Sequence, residues 1–252
     1  MSGKIVNNFT RQMSFVPPEK FDGITVSIIG VGAVGSNIAL QLAQMGFGRP
    51  GCGHLHLYDY DIVEEHNLPN QAFLLEHIGM KKVDAMRDLI QKKMGFTVEA
   101  HDVKVTESMV DDPSIRRSHY VFLAVDSMKA RKEIFTNFLQ YNTVTRLMLE
   151  SRMGATDGMV FCINPQGYTE CEVWNDKWYS DKESVAGGCG TSASVGVTTT
   201  FLAAYNVSTM MHHFRAVQIE HASPSVRNEL LIELNPFGLI SMDYKNKTTK
   251  QF

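Results

Sequence analysis

A glycine-rich turn between a hydrophobic strand and a helix constrains the fold of this chain more than any other feature. Residues 24–29 form a β-branched run of the kind found in buried parallel strands. Gly30, Gly32 and Gly35 follow as G-x-G-x-x-G, and a helix is predicted over residues 35–45. Such glycines permit a tight turn, let the backbone approach a phosphate and let the helix pack closely on the strand. The pattern predicts a nucleotide site at the helix N-terminus.

The next segment supports nucleotide binding. Residues 54–59 are predicted to form a second strand, and it ends in Asp59. A carboxylate at this place can accept hydrogen bonds from ribose hydroxyls. The alternative for the whole stretch is a glycine turn that serves packing alone.

Strands and helices alternate along the chain, which predicts an α/β, Rossmann-like fold with a doubly wound, mainly parallel sheet. Further strands are predicted at 96–105, 120–125, 146–151 and 158–164, and further helices at 82–94, 128–141 and 192–214. Residues 230–234 and 239–242 predict a C-terminal antiparallel hairpin. Because such sheets bind ligands at the carboxyl ends of their strands, the glycine turn, Asp59 and Asp126 should share one crevice.

Three segments depart from this alternation. Residues 1–20 are predicted to be an N-terminal arm with little hydrophobic content to dock it, which leaves residues 21–252 as a single domain. Residues 170–190 carry several charges and end in a glycine-rich run, so they are predicted to form a long mobile loop. The polar tail from Lys245 onward is expected to be loose.

Charge and hydropathy argue against several classes of partner and location. The formal net charge of −3 gives no support for nucleic acid or an anionic membrane as a partner. No apolar run reaches the length of a membrane span, and the first residues lack the pattern of a signal peptide. We therefore expect a cytoplasmic protein with no membrane partner.

The four cysteines separate into one candidate nucleophile and three others. No C-x-x-C pair occurs, so a structural zinc site has no support. Cys189 follows two glycines and precedes a predicted helix, whose N-terminal dipole would favour the thiolate. The alternative is a small residue that packs at a helix start. Cys52, Cys162 and Cys171 lack this setting and are expected to be inert.

Several short motifs occur in a fixed order between about residues 8 and 214. They are Arg11-Gln12, the glycine turn, Asp59-Tyr60-Asp61, Asn67-Leu68 with Gln71, Gly79-x-x-Lys82, and Asp126 with Arg131. In these motifs the chain resembles the ThiF/MoeB/HesA family of ubiquitin-activating-like adenylyltransferases. The resemblance implies that the chain uses ATP and Mg²⁺ to adenylate the C-terminal glycine carboxylate of a small ubiquitin-like or sulfur-carrier protein ending in Gly-Gly.

The resemblance also implies roles for individual residues. Lys82 and Arg11 would supply the positive charge that lets a carboxylate approach a phosphate, and Asp126 would hold Mg²⁺. Asp59 would bind the ribose, and Cys189 would accept the activated carboxylate, as a cysteine near this place does in some members. The residues implied to contact ATP also include Gly30, Gly32, Gly35, Asp61, Asn67, Asn70, Gln71 and Arg131. A homodimer is implied, in which Arg11 reaches the phosphates of the neighbouring subunit.

Three departures from the family pattern stand out. Asn70 occupies the place of an arginine, which removes one charge from the phosphate site. The paired C-x-x-C motifs of many members are missing. We also expect no rhodanese-like or ubiquitin-fold domain after the activation domain.

Other interpretations stay open. The fold also suits an NAD(P)-dependent oxidoreductase, although Lys82, Arg11 and the Asn67 loop would then serve no purpose. A non-catalytic nucleotide-binding scaffold, or a relative that adenylates a tRNA base or a small carboxylate, would share the nucleotide half. Taken singly, Lys82 could be a solvated surface lysine, Asp126 a helix N-cap, and Arg131 its ion-pair partner.

Overall fold

One sheet of nine strands organises the computed structural model, which describes residues 5–106, 109, 113–181 and 195–251. The strands are β1 Thr25–Ile29, β2 His54–Asp59, β3 Glu99–Asp102, β4 Tyr120–Leu123, β5 Leu147–Met153, β6 Asp157–Ile163, β7 Glu229–Leu234, β8 Phe237–Asp243 and β9 Thr248–Gln251. Their order across the sheet is β3-β2-β1-β4-β5-β6-β7-β8-β9. The pairs from β3 to β5 are parallel, and those from β5 to β9 are antiparallel.

Helices cover both faces of the sheet. They are α1 Ala33–Met45, α2 Lys82–Met94, α3 Pro113–Arg116, α4 Met128–Ile134, α5 Tyr168–Asp176 and α6 Gly196–Gln218. Helices α1, α2 and α6 share one apolar core with the inward side chains of β1, while α3, α4 and α5 pack in a second core. No helix among the described residues is both long and apolar enough to cross a bilayer.

This architecture confirms the predicted fold class. Strand β1 lies between β2 and β4, so the chain winds outward from β1 in two directions. The carboxyl ends of strands beside such a reversal of winding splay apart and leave a crevice. The glycine turn directly follows β1 and therefore lies at that crevice.

The structure contradicts the first part of the loop predicted at residues 170–190 and the expectation of a loose C-terminal tail. Residues 168–176 form helix α5, because Cys171 and Trp174 are spaced three apart and are both fully buried on one helix face. The surrounding charges concealed this short apolar stripe. The tail contains strand β9, which pairs with β8 instead of being loose.

Two predicted helices have different boundaries. Helix α6 starts at Gly196 after an extended Val195, later than the predicted residue 192. Helix α4 ends at Ile134 and continues as a π-helix over Phe135–Leu139. Residues 182–194 lie outside the described part of the chain.

The N-terminal arm is docked on its own chain, contrary to the expectation of a weakly attached segment. Phe9 and Val16 are buried in the core that α1 and α2 line. The Gln12 amide donates to the Met45 carbonyl over 2.8 Å, and the Val6 N–H donates to the Met94 carbonyl over 2.9 Å. The arm thus covers the C-terminal ends of α1 and α2, where helix carbonyls lack internal partners.

His213 of α6 should make folding stability depend on pH. Burial, together with the nearby Arg146, lowers the pKa of His213 to about 4. The unfolded chain therefore binds more protons between about pH 6.5 and 4, and stability falls as the pH falls through this window. We expect a loss of roughly 2 kcal/mol between about pH 7.5 and pH 5 from this group.

Urea unfolding at both pH values, for the wild type and His213→Asn, measures this loss. The asparagine can still face the Tyr120 hydroxyl, which lies 3.1 Å from His213 Nδ1. The variant should lose about that much less stability on acidification. The same pH dependence in both proteins would show that His213 is not responsible.

Candidate active site

A crevice of about 580 Å³ lies at the carboxyl ends of the parallel strands. Its walls come from the glycine turn after β1 and from the ends of β2, β4 and β5. Eight residues singled out from the sequence line it together: Gly30, Gly32, Asp59, Asp61, Gln71, Lys82, Asp126 and Arg131. Residues from five separate segments thus meet at the carboxyl ends of neighbouring parallel strands.

Close approach of neighbouring backbone explains two of the three glycines, Gly30 and Gly35. Gly30 has a φ of +93°, and a Cβ there would lie 2.7 Å from the backbone of Ala124. A Cβ on Gly35 would lie 1.9 Å from the Gly30 carbonyl oxygen, so α1 can approach β1 only with glycine there. A Cβ on Gly32 would meet nothing within 4 Å, which leaves open space on that side of the turn. This is the shape that a phosphate cradle requires.

Asp59 holds the turn in place from the end of β2. One carboxylate oxygen accepts from the Val31 N–H over 2.6 Å, and the other accepts from the Asp61 N–H over 2.9 Å. Because each carboxylate oxygen can accept more than one hydrogen bond, Asp59 keeps capacity for a hydroxyl donor in the crevice. The residue therefore orders the glycine turn as well as facing the crevice.

Lys82 is buried, although its place at the start of a predicted helix favoured an exposed side chain. It is 8 % exposed, and its ammonium donates to an Asp61 carboxylate oxygen over 2.9 Å. The Lys82 N–H also donates to the Asp61 carbonyl, so the first turn of α2 is tied to the segment after β2. The neighbouring Lys81 instead pairs with Asp102. Lys82 is thus a positioned cation in the crevice wall and not a solvated surface lysine.

Asp126 faces the crevice as an exposed carboxylate beyond the end of β4. The N-cap of α4 is Ser127, whose hydroxyl oxygen accepts from the Ala130 N–H, and Asp181 accepts from the Met128 N–H. Asp126 is therefore not the N-cap of that helix. A single carboxylate beside a space for phosphates fits Mg²⁺, which commonly binds through one or two carboxylates together with phosphates and waters.

Arg131 belongs to a buried charge cluster that the sequence analysis missed. Its Nη1 donates to Glu150 Oε1 over 2.9 Å and to the Ser151 carbonyl over 2.7 Å. Arg152 donates to both Glu150 oxygens, and the Trp174 indole N–H donates to Oε2. Burial alone would raise the pKa of Glu150, but the two guanidinium groups outweigh it and hold this pKa below its usual range. We call these residues, Arg131, Glu150 and Arg152, the β5 cluster.

A signal for the β5 cluster was present in the sequence. Glu150 and Arg152 follow an apolar run in a central strand. Charged side chains are rarely buried at such a place unless they are paired. Which residues pair with them depends on tertiary contacts, because Arg131 and Trp174 come from different helices.

Other predicted site residues lie outside the crevice. Arg11 is exposed on the arm and does not line the crevice within the described part of its own chain. Asn67 is buried, and its side-chain oxygen accepts from the Glu64 N–H to close a turn. Asn70 lies next to Gln71, and its carbonyl accepts from the Asn37 amide over 3.4 Å. Gly35 lies beneath the turn.

The described thiols have the properties of inert groups. Cys52, Cys162 and Cys171 are free and buried. Burial raises the pKa of each, and that of Cys171 reaches about 11. Cys189 lies outside the described residues, so its role stays a prediction.

Among the described residues, Glu76, His77 and Asp88 form a group of three potential metal ligands. The Lys92 ammonium pairs with Glu76 over 2.8 Å and with Asp88 over 2.6 Å. His77 Nδ1 accepts from the Leu74 N–H, and its Nε2 faces Asp88. Each of the three side chains thus already has a protein partner, and we assign no metal to this group.

Comparison with known proteins places the chain among relatives of known type. The model of the ThiF family matches residues 10–248. Ubiquitin-like modifier-activating enzyme 5 of Caenorhabditis elegans is 30% identical over 160 residues, which cover 58% of this chain and 36% of that protein. The Arabidopsis thaliana protein of the same name is 34% identical over 103 residues, which cover 40% of this chain and 21% of that protein. The chain therefore spans only about a third of the first of these relatives.

Solved structures share the fold. PaaA superposes with a TM-score of 0.69 at 19% identity, covering 93% of this chain and 74% of that one. Escherichia coli MccB with ATP gives 0.67 at 15% identity, covering 90% and 65%. Escherichia coli tRNA N6-threonylcarbamoyladenosine dehydratase, TcdA, in complex with AMP gives 0.59 at 18% identity, covering 82% and 93%. At these identities the likeness is one of fold.

Proposed function

The chain belongs to the ThiF family, and from this premise we propose that it is an ATP-dependent adenylyltransferase. Its substrate would be the C-terminal carboxylate of a small ubiquitin-like or sulfur-carrier protein ending in Gly-Gly. The observation that carries the proposal is the meeting of the glycine turn, Lys82 and Asp126 in one crevice. The names of its relatives, which include ubiquitin-like modifier-activating enzymes, support the same class.

The proposed reaction joins two anions. A carboxylate oxygen forms a bond to the α-phosphorus of ATP, and the bond from that phosphorus to the pyrophosphate oxygen breaks. The products are an acyl-adenylate and pyrophosphate. Charge must be offset as the two anions approach and as pyrophosphate leaves, so positive groups fixed in advance lower the barrier.

The described residues suit these tasks. The N–H groups of the glycine turn and the start of α1 would receive phosphate oxygens. The Lys82 ammonium, held by Asp61, would lie beside the reacting phosphate. Asp59 would accept hydrogen bonds from the ribose. Asp126 would hold Mg²⁺, which when bound supplies further positive charge to the phosphates.

Carrier-dependent exchange of labelled pyrophosphate into ATP tests the proposal. Exchange with a protein ending in Gly-Gly, and none with its C-terminal amide, is the expected result. Binding of ATP without exchange would favour a non-catalytic scaffold. Binding of a reduced nicotinamide, detected as quenched tryptophan fluorescence, would favour the oxidoreductase. As a further step we propose that the Cys189 thiolate attacks the acyl-adenylate, which forms a thioester and releases AMP. An adduct that a thiol reductant cleaves and that is lost in Cys189→Ala would reveal this step.

Arg11 is proposed to act on the crevice of a second subunit in a homodimer. It is exposed and lies outside the crevice of its own chain, while the arm around it is anchored by buried Phe9 and Val16. Arg11→Ala and Lys82→Ala proteins should each be inactive. Mixing them should restore part of the exchange activity, because one crevice of each hybrid dimer contains both native residues. The maximum recovery is about a quarter of the wild-type level if subunits mix at random and all are counted.

Subunit exchange must be demonstrated separately, for example by energy transfer between labelled subunits. If subunits exchange and mixing restores nothing, Arg11 does not act across a dimer. A mixture of wild-type and Arg11→Ala protein supplies the reference curve for random mixing.

A further inference from the structure

The β5 cluster carries more positive than negative charge. Arg131 and Arg152 both donate to Glu150, so two cations share one anion and the cluster keeps a single net positive charge. The three side chains are at most 7% exposed. Glu150 is saturated, because the Trp174 indole also donates to it over 2.6 Å. A buried charge without a counter-charge is costly, so the excess calls for a further anion.

An unused donor in the cluster points the same way. Arg131 Nε is buried and has no hydrogen-bond partner among the described residues. Burial lowers the pKa of Arg131, and Glu150 offsets this lowering only in part because Arg152 opposes it. Leaving a buried N–H unpaired costs about 1–3 kcal/mol. An anion that accepted from this group would recover that cost.

The nearby carboxylates that the structure describes do not supply this anion. Glu229 pairs with Lys177 and accepts from the Tyr244 hydroxyl. Asp181 accepts from the N–H groups at the start of α4. Asp126 is exposed to solvent, and Arg131 donates to Glu150 and to the Ser151 carbonyl instead. Within the part of the chain that the structure describes, the crevice itself is the remaining direction, and both arginines line it.

Arg152 is held rigidly at that wall. Its Nη1 donates to the Lys177 carbonyl over 3.0 Å, and its guanidinium lies 4.4 Å from the centre of the Phe161 ring and 5.1 Å from that of Tyr179. These contacts, with Glu150 on the third side, leave little rotational freedom. A preorganised guanidinium loses less entropy on binding a carboxylate than a mobile one does.

We propose that Arg152 and Arg131 form the subsite that receives the substrate's reacting carboxylate, with Glu150 as a positioning residue. The inference rests on the proposed function and names how the acyl substrate is held. Across the sheet, Asp59 ends β2, the glycine turn follows β1, Asp126 follows β4 and Arg152 lies in β5. Adjacent strands are about 4.8 Å apart, so β5 is roughly 10 Å from β1, on the side away from the ribose position. The carboxylate would reach the α-phosphate from that side.

A short acetylated peptide ending in Gly-Gly is the probe, used as free acid and as C-terminal amide. Nitrogen-15 NMR of the arginine side chains follows its binding to the full chain without nucleotide. The free acid should shift the Nε–H signal of Arg131, and the amide should not. Arg152→Gln should weaken this response at least about tenfold, which corresponds to about 1.4 kcal/mol. Arg152→Lys, which keeps the charge but loses the planar fork, should weaken it less.

Arg146→Gln is the matched control. Arg146 also has a buried, unpartnered guanidinium nitrogen. It lies at the amino-terminal end of β5, away from the carboxyl ends that form the crevice, and does not line the crevice within the described residues. This variant should respond to the free acid as the wild type does. Thermal unfolding identifies any variant that fails to fold, in which case Arg152→Lys decides.

Three results would overturn the subsite: equal responses to acid and amide, no response to the acid up to about 10 mM, or unchanged binding in folded Arg152→Gln and Arg152→Lys proteins. Because the titration needs neither ATP nor a reaction, it separates this inference from the proposed function. Missing exchange activity with an intact peptide response would refute adenylation but leave a carboxylate site.

Discussion

Replacing Lys82 by alanine should reduce pyrophosphate exchange by about two orders of magnitude or more, while the chain stays folded. Single positioned donors at centres of developing charge are commonly worth about 3 kcal/mol of barrier. The ammonium is held by Asp61 at the crevice wall and therefore needs no reorganisation when the phosphate arrives. The Asp61 side chain is 50% exposed, so water can solvate it once the lysine is gone. The loss should therefore appear in the rate rather than in stability.

Lys81→Ala is the control for this experiment. Lys81 is adjacent in sequence, but it pairs with Asp102, donates to the Tyr60 carbonyl and does not line the crevice within the described residues. It should keep near-normal exchange. Asp126→Asn should resemble Lys82→Ala, because an amide binds Mg²⁺ more weakly than a carboxylate does. Near-normal exchange in either Lys82→Ala or Asp126→Asn would remove that residue from the proposed reaction.

Replacing Glu150 by glutamine should destabilise the folded chain by about 3–5 kcal/mol, the usual cost of removing one partner of a buried ion pair. The amide would leave two buried guanidinium groups facing each other without a counter-charge. Its NH₂ group would also point a donor at groups that donate to Glu150, including the Trp174 indole. Urea unfolding near pH 7 measures the loss as a lower midpoint at an unchanged slope.

Glu229→Gln is the comparison for the effect of burial. Glu229 is buried and bonded to Lys177, but the Lys177 side chain is 33% exposed and can turn to water. Its loss should therefore cost clearly less than that of Glu150. Equal losses would mean that the shared counter-charge in the β5 cluster is not what stabilises this region.

The central part of the fold could be predicted because its signals are local. The glycine turn lies between an apolar strand and a helix, and the apolar stripe of α2 repeats at helical spacing over residues 82–94. The boundaries of β2 and α2 agree with the prediction. The parallel order of the strands then predicted that Asp59 and Asp126 lie at one edge of the sheet, because the carboxyl ends of parallel strands share that edge.

The remaining features depend on contacts between distant segments. The burial of Lys82 results from the segment after β2 folding over the start of α2, which no local pattern indicates. Helix α5 owes its stability to Trp174 packing against Phe135 of another element. The arm docks through Phe9 and Val16, and its apolar residues show no regular helical or strand spacing. Periodicity requires several repeats and fails for such short segments.

The two hydrogen bonds of Asp59 have a consequence for redesign of the crevice. The Asp59 carboxylate accepts from the Val31 N–H, which fixes the glycine turn, and from the Asp61 N–H, which fixes the segment after β2. The Asp61 carboxylate in turn accepts from the Lys82 ammonium. The proposed ribose contact, the glycine turn and the placement of the Lys82 ammonium thus depend on one set of hydrogen bonds. An engineer who substituted Asp59 to change the nucleotide preference would displace Lys82 as well. A successful redesign would have to replace the whole Asp59–Asp61–Lys82 unit together.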